Sequence, residues 1–336
     1  MKFLKKIFCY ISVFLFLNSA SCFALSIYNT HFSISPLYQL QNGCLNEYVY
    51  DTDSSDELYK LSELNWKLKN LSYAGFQSSF GYKNLFFDLN FLYAIPKKSG
   101  NMKDSDWLNS SDLSMKTTYS ISENTNNMSA IFKVNFYYNF EIINNLTVSP
   151  VISAQYNYYD FSARNAEGWY GNYSSPKVSW DDKDAVYFSS DELGGIDYTR
   201  STILGSLGAK IDYKFLDYFC ASFTLKTSPY TYVQSLDTHF ADNKCTIIGS
   251  CYLDRMSGLF KHYEASVDLN YIFMTNFVFG IKGDYNYLIQ MQGLSKLTGI
   301  TGTSNSKTAE TFTKATTVPR CSGYWWNLGI YAKIQF

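Results

Sequence analysis

The stretch FVFGIKGDYNYLI, Phe277 to Ile289, decides how the rest of the chain is read. Phe277, Phe279, Ile281, Gly283, Tyr285, Tyr287 and Ile289 fall on one side of an extended chain, while Lys282, Asp284 and Asn286 fall on the other. That is the two-residue period of a strand with one apolar and one polar face. The same division recurs from Phe132 to Phe140, with Phe132, Val134, Phe136, Tyr138 and Phe140 against Lys133, Asn135, Tyr137 and Asn139, and again from Ala265 to Phe273. Such runs last about 15 to 20 residues, where strands of globular sheets last about 5 or 6. A strand that long, aromatic on one face, crosses a membrane at a tilt and projects beyond it.

Composition agrees. Aromatic residues make up 18% of the chain and charged residues only 17%, a balance expected of strands that show lipid every second residue. Met1 to Ala24 reads as a secretory signal: Lys2, Lys5 and Lys6, then an apolar core from Ile7 to Leu17, then the small residues of NSASCFA. Cleavage is expected after Ala24; Cys22 as a lipidated first residue is the alternative, with Ser19 a poor fit to a lipobox. Beyond the signal no apolar run approaches the roughly 18 residues of a spanning helix. Losing three lysines leaves 25 Lys+Arg against 29 Asp+Glu, and no basic stripe suggests nucleic acid as a partner.

From residue 25 to 336 the chain is read as one all-β domain, a ten-stranded antiparallel outer-membrane β-barrel. The strands are expected near 29–43, 63–82, 84–96, 129–143, 145–163, 198–215, 218–240, 258–273, 276–292 and 321–336. Tight joints alternate with long polar ones at 44–62, 97–128, 164–197, 241–257 and 293–320, as short inner turns and long extracellular loops do. An even number of strands closes the sheet without an edge, and a narrow barrel has a lumen filled by side chains. The last strand alternates Leu328, Ile330, Ala332, Ile334 and Phe336 with polar or small residues, like the assembly signal of bacterial outer-membrane proteins.

The chemistry concentrates in two pairs. Asp104 and Asp106 sit two apart in GNMKDSDWLNSSD, Gly100 to Asp112, at the start of the second long loop. Asp237 and His239 sit two apart in LDTHF at the end of the seventh strand. Residues i and i+2 of a strand point the same way, and the expected topology puts both pairs at one mouth of the barrel. Asp104 and His239 are then placed to hold a water, with His239 taking its proton and Asp237 steadying the imidazolium. The bland reading is a solvated acidic loop. A metal site is disfavoured, since one imidazole and three carboxylates form a hard set that binds calcium or nothing.

GNMKDSDW closely resembles the omptin signature Gly-Asn-Met-x-Asp-x-Asp-Trp, and LDTHF resembles the omptin Asp-x-His motif in the same order. Looser echoes are NEYVY (Asn46–Tyr50), LNWKLKN (Leu64–Asn70) and YDFSARN (Tyr159–Asn165). The resemblance implies an outer-membrane endopeptidase acting on polypeptides at the cell surface through an extracellular groove, without metal or covalent intermediate. It implies that Asp104 and His239 activate water, that Asp106 supports the first and that Asp237 orients the second. It also implies that Glu47 lies at the floor of a pocket for a basic side chain. A second acid is expected two residues before Asp237, where this chain has Ser235, so a weakened or altered preference for Arg or Lys is expected. No cofactor is expected, but omptins generally need lipopolysaccharide, gripped by a basic residue at the place Tyr158 holds here, after Tyr156. The rival is a non-catalytic barrel, an adhesin or a narrow pore.

Several residues are expected to be structural: His31 and His262 as rim or lumen packing, Arg164 as a salt-bridge residue, and Trp325 and Trp326 as interfacial aromatics. NSKTAETFTKATT, Asn305 to Thr317, reads as a solvated loop. In an oxidising compartment Cys245–Cys251 and Cys44–Cys321 are expected to pair, leaving Cys220 as a thiol.

Overall fold

A computed structural model describes residues 30–53, 56–171, 178–189, 194–242, 244–246, 248–298 and 312–336. The expected signal and most of Asn305 to Thr317 lie outside the described residues. Among the described residues every regular element is a strand: β1 (Thr30–Thr52), β2 (Leu58–Tyr82), β3 (Leu85–Ala94), β4 (Lys97–Asp106), β5 (Thr118–Tyr138), β6 (Phe140–Ile143), β7 (Leu146–Tyr170) and β8 (Val186–Phe188). The second half adds β9 (Ile196–Leu216), β10 (Phe219–Phe240), β11 (Ile248–Gly258), β12 (His262–Met274), β13 (Phe277–Thr298), β14 (Thr313–Lys314) and β15 (Val318–Gln335). All pairings are antiparallel, and followed round they return to their start. The ring runs β1, β2, the β3/β4 row, β5, β7, β9, β10, the β11/β12 row, β13 and β15, which pairs with β1. An all-β antiparallel barrel is therefore what the alternation implied.

Fifteen segments stand where ten strands were expected, because some rows are interrupted. Pro96, with no N–H to give, breaks β3 from β4. Phe260, at φ 54°, breaks β11 from β12. The larger difference is length. β2 and β7 each run for 25 residues. At about 3.3 Å per residue and a tilt near 40° such a strand rises roughly 60 Å, more than twice the apolar band of about 25 Å. The excess lies at the end with the long connections. There the ladder no longer needs an apolar outer face, so polar strand has the sequence pattern of loop. Asp104 and Asp106 accordingly end strand β4 rather than begin a loop, and the connection to β5 spans only 107–117.

The lipid band is visible on the outer face. Phe279, Ile281, Leu328, Ile330 and Ile334 point outward and are exposed, and Tyr38, Tyr93, Tyr230, Tyr263, Tyr287 and Tyr324 crown the band. Beyond them the outward positions turn polar, as with Asn42 and Asn46 on β1 and Asp160, Ser162 and Arg164 on β7. The two adjacent tryptophans separate. Trp326 is exposed in the band, but Trp325 is buried in the lumen against His262, with ring centroids 5.8 Å apart. Consecutive residues of a strand face opposite sides, so both could not have joined the girdle.

Inside, the barrel has a packed waist. Trp66 stacks on Tyr198 at 4.8 Å and on Phe161 at 5.9 Å, and the Tyr73 and Tyr159 hydroxyls donate to Gln41 Oε1. Between the waist and the short-turn end lies a cavity of about 590 Å³ lined by Lys133, Lys226, Glu264, Lys282 and Asp284. Glu264 receives Lys133 at 2.6 Å and Lys226 at 3.0 Å, while Lys282 donates to Gln77 and Asn90, and Asp284 accepts from Asn286 and Asn327. His262 packs here, bonded to Ser228 and Asn286. His31, by Phe86, lines the same cavity, and Arg164 pairs with Asp197 at 2.5 Å.

The expected disulfides do not form. Cys44, Cys220, Cys251 and Cys321 are free thiols. Cys44 lies opposite Tyr324 and Cys321 opposite Glu47, an odd offset of three residues that puts the two thiols on opposite faces of the wall. Cys251 instead faces the Thr238 hydroxyl at 3.4 Å, while Cys245 Sγ accepts the Gly195 N–H at 3.3 Å.

Candidate active site

Above the waist, six acid or imidazole side chains converge from four strands. β4 brings Asp104 and Asp106. Gly100, at φ 85°, sits in the bulge between Lys98 and Asn101. A glycine there lets the strand kink and re-aim the residues that follow, beginning with buried Met102. β10 brings Ser235, Asp237 and His239, whose alternation puts all three on the inner face. β1 supplies Glu47 and β11 supplies Asp254, each 2% exposed.

His239 Nε2 meets Asp237 Oδ2 at 2.7 Å, and the ring lies edge-on to Tyr252 at 5.8 Å. Burial alone would lower the imidazole, but the Asp237 carboxylate, with Asp104 and Asp106 nearby, outweighs it and pushes His239 up to about 9. Asp104 is raised well above the ordinary carboxylate range by burial and then by Asp106, with the His239 charge opposing. Asp106 is raised by burial against a hydrogen bond from Ser62 and the same imidazole. The two pairs thus act on each other electrostatically across the mouth.

A second focus lies beside the first. Glu47 is raised by burial and by Asp237 and Asp254, and burial pushes Asp254 up to about 6. Seven buried polar atoms here have no partner: Asp104 Oδ1, Asp237 Oδ1, Asp254 Oδ1, Glu47 Oε2, Ser235 Oγ and, on Arg200 opposite Ser235, Nε and Nη2. Unpaired buried oxygens cost roughly 1–3 kcal/mol each, more when charged, which makes this mouth the candidate site.

All the motif residues, Glu47, Asp104, Asp106, Ser235, Asp237 and His239, therefore lie above the waist at one mouth. Asp254 was missed. Its segment, Ile248–Gly258, reads as loop because Cys251, Tyr252 and Leu253 run consecutively instead of alternating with polar residues. Tyr156 and Tyr158 lie on the outer face of β7, where Tyr156 bonds to Ser201 at 3.1 Å.

A closed antiparallel barrel with a lipid band and an acidic-imidazole cluster at one mouth is a bacterial outer-membrane β-barrel built around a site. A family model described as the omptin family matches residues 29–318. The chain belongs to the omptin family. No curated protein matches it. Among solved structures it resembles the outer membrane protease OmpT from Escherichia coli, with 18% identity, TM-score 0.75, and coverage of 93% of this chain and 99% of that one. It also aligns with the translocator domain of the autotransporter NalP from Neisseria meningitidis at 7% identity, covering 99% and 98%, but with a TM-score of 0.34 that carries no argument.

Proposed function

We propose that the protein is an endopeptidase of the outer membrane, its groove facing the cell exterior, which hydrolyses polypeptides with a water activated between Asp104 and His239. The observation that carries this is the pairing of His239 with Asp237 at 2.7 Å next to a buried, unpartnered Asp104 oxygen. With Nε2 turned to Asp237, Nδ1 is left to take the water's proton; Asp104, backed by Asp106, holds and aims that water at the peptide carbonyl. The C–N bond breaks as the imidazolium returns the proton to the leaving amine, and Asp237 steadies the charge in between. Glu47 favours a basic side chain next to the scissile bond. Outer-membrane lipid is the second partner, met at Tyr156 and Tyr158 rather than by a basic residue.

The packed waist argues against a pore, and an adhesin has no use for unpaired buried carboxylates. The test is a peptide-library digestion by refolded protein supplied with lipopolysaccharide. Asp104→Asn and His239→Ala are each expected to lose about 10³–10⁴-fold in kcat/KM while keeping the β-sheet circular dichroism signal. Wild type that cleaves nothing, or variants that cleave as well as it does, would return the protein to the non-catalytic class.

A further inference from the structure

Ser235 stands where an acid was expected, and its two cross-strand neighbours are both charged. Arg200 on β9 lies opposite it on one side and Asp254 on β11 on the other. Facing residues of adjacent strands have Cβ atoms about 4.5–5.5 Å apart, so the three side chains form one inward row. Asp254 and Glu47, from strands on different sides of β15 and β13, lie within hydrogen-bonding reach of one another. Arg200, 1% exposed, gives one N–H to the Ser322 carbonyl at 3.3 Å, and its charge reaches Glu47.

The charge count matters. With Glu47 alone the floor would set one carboxylate against one guanidinium and offer little to a cation. An aspartate at 235 would have faced Arg200 directly. Asp254 is one strand further from Arg200 and adds the unbalanced charge. Independent of the acids themselves, the Ser235 hydroxyl points to a guest: it is 1% exposed and its Oγ has no partner. Glu47 Oε2 and Asp254 Oδ1 are likewise unpartnered.

We propose that Asp254 is a specificity-determining residue: with Glu47 it forms a two-carboxylate floor that receives a cationic side chain of the substrate. It supplies from β11 the charge that Ser235 does not supply from β10. The proposal rests on the peptidase reading above and names the residue that restores a preference which Ser235 alone would weaken. Burial raises both acids, so an entering guanidinium takes the place of a proton the pair otherwise holds.

The test compares peptides carrying arginine before the scissile bond with the same peptides carrying citrulline, its uncharged near-isostere. In Asp254→Asn the arginine-to-citrulline ratio of kcat/KM is expected to fall about 30-fold. An unchanged ratio, or equal losses on both peptides, overturns the assignment while leaving the peptidase intact. Wild type with no preference for arginine overturns the basic-side-chain reading as well. Calorimetric binding of argininamide to detergent-solubilised protein decides the matter without turnover. Affinity about tenfold weaker in Asp254→Asn supports the proposal, and equal binding or none to wild type sinks it.

Discussion

Two clusters of buried charge sit in one cylinder on either side of an aromatic waist, and they are built on opposite terms. Below it, Glu264 lies between Lys133 and Lys226, while Lys282 Nζ donates to Gln77 and Asn90. Above it, Asp104, Asp106, Asp237, Glu47 and Asp254 crowd together with one imidazole and the Arg200 guanidinium, and several of their polar atoms find no partner. Oppositely charged, hydrogen-bonded groups hold the wall together from inside. Like charges left unpaired weaken it and serve something that arrives from outside. The contrast separates scaffold from site without reference to any motif.

The sharpest way to break the comparison is to unpair the lower cluster. Glu264→Ala leaves two buried ammonium groups facing each other and is expected to cost about 3–5 kcal/mol in denaturant unfolding of the detergent-solubilised barrel. The peptide preference of the surviving folded fraction should not move. A loss under about 1 kcal/mol would mean that the lower charges are solvated rather than structural.

Above the waist the sign should reverse. Asp104→Asn removes a carboxylate whose folded form favours the proton, so it is expected to stabilise by about 0.5–2 kcal/mol while cleavage collapses. Wild-type Asp104 contributes stability that is present below the ordinary carboxylate range and is lost as pH rises through its raised value. The gain from asparagine should therefore be seen at neutral pH and vanish in acid. A destabilised Asp104→Asn at neutral pH would show that the unpartnered oxygen is satisfied after all.

The subtlest test concerns protonation. With His239 pushed up to about 9, the imidazole that must accept a proton is scarce at neutral pH, and kcat/KM should climb with pH toward that value. Removing the main source of the rise, in Asp237→Asn, should move this limb toward lower pH while reducing the maximum. A limb that stays in place in the variant would detach Asp237 from the imidazole's titration.

Much of this was legible in the residues. Strands such as Phe277–Ile289 declare both faces, because lipid demands an apolar outer side at every second position. The chain beyond the bilayer carries no such demand, so β4 and β11 look like loop even though their backbones pair with a strand on each side. That blind spot hid Asp254 and shortened most of the strands. It also misled the cysteine pairing: Cys44 and Cys321 are neighbours by strand order, but register, not order, decides which face each thiol meets.

What the amino-acid pattern determined on its own is the barrel, its lipid-facing residues, and which two short motifs carry acid and imidazole. These are local properties, written in periodicity and residue type. Only the closed sheet decided how Ser235 is flanked, which acids gather at the floor and which charges stay unpaired. Those depend on registers summed around the ring, and one residue of slip on any strand would turn every side chain on it to the other side of the wall.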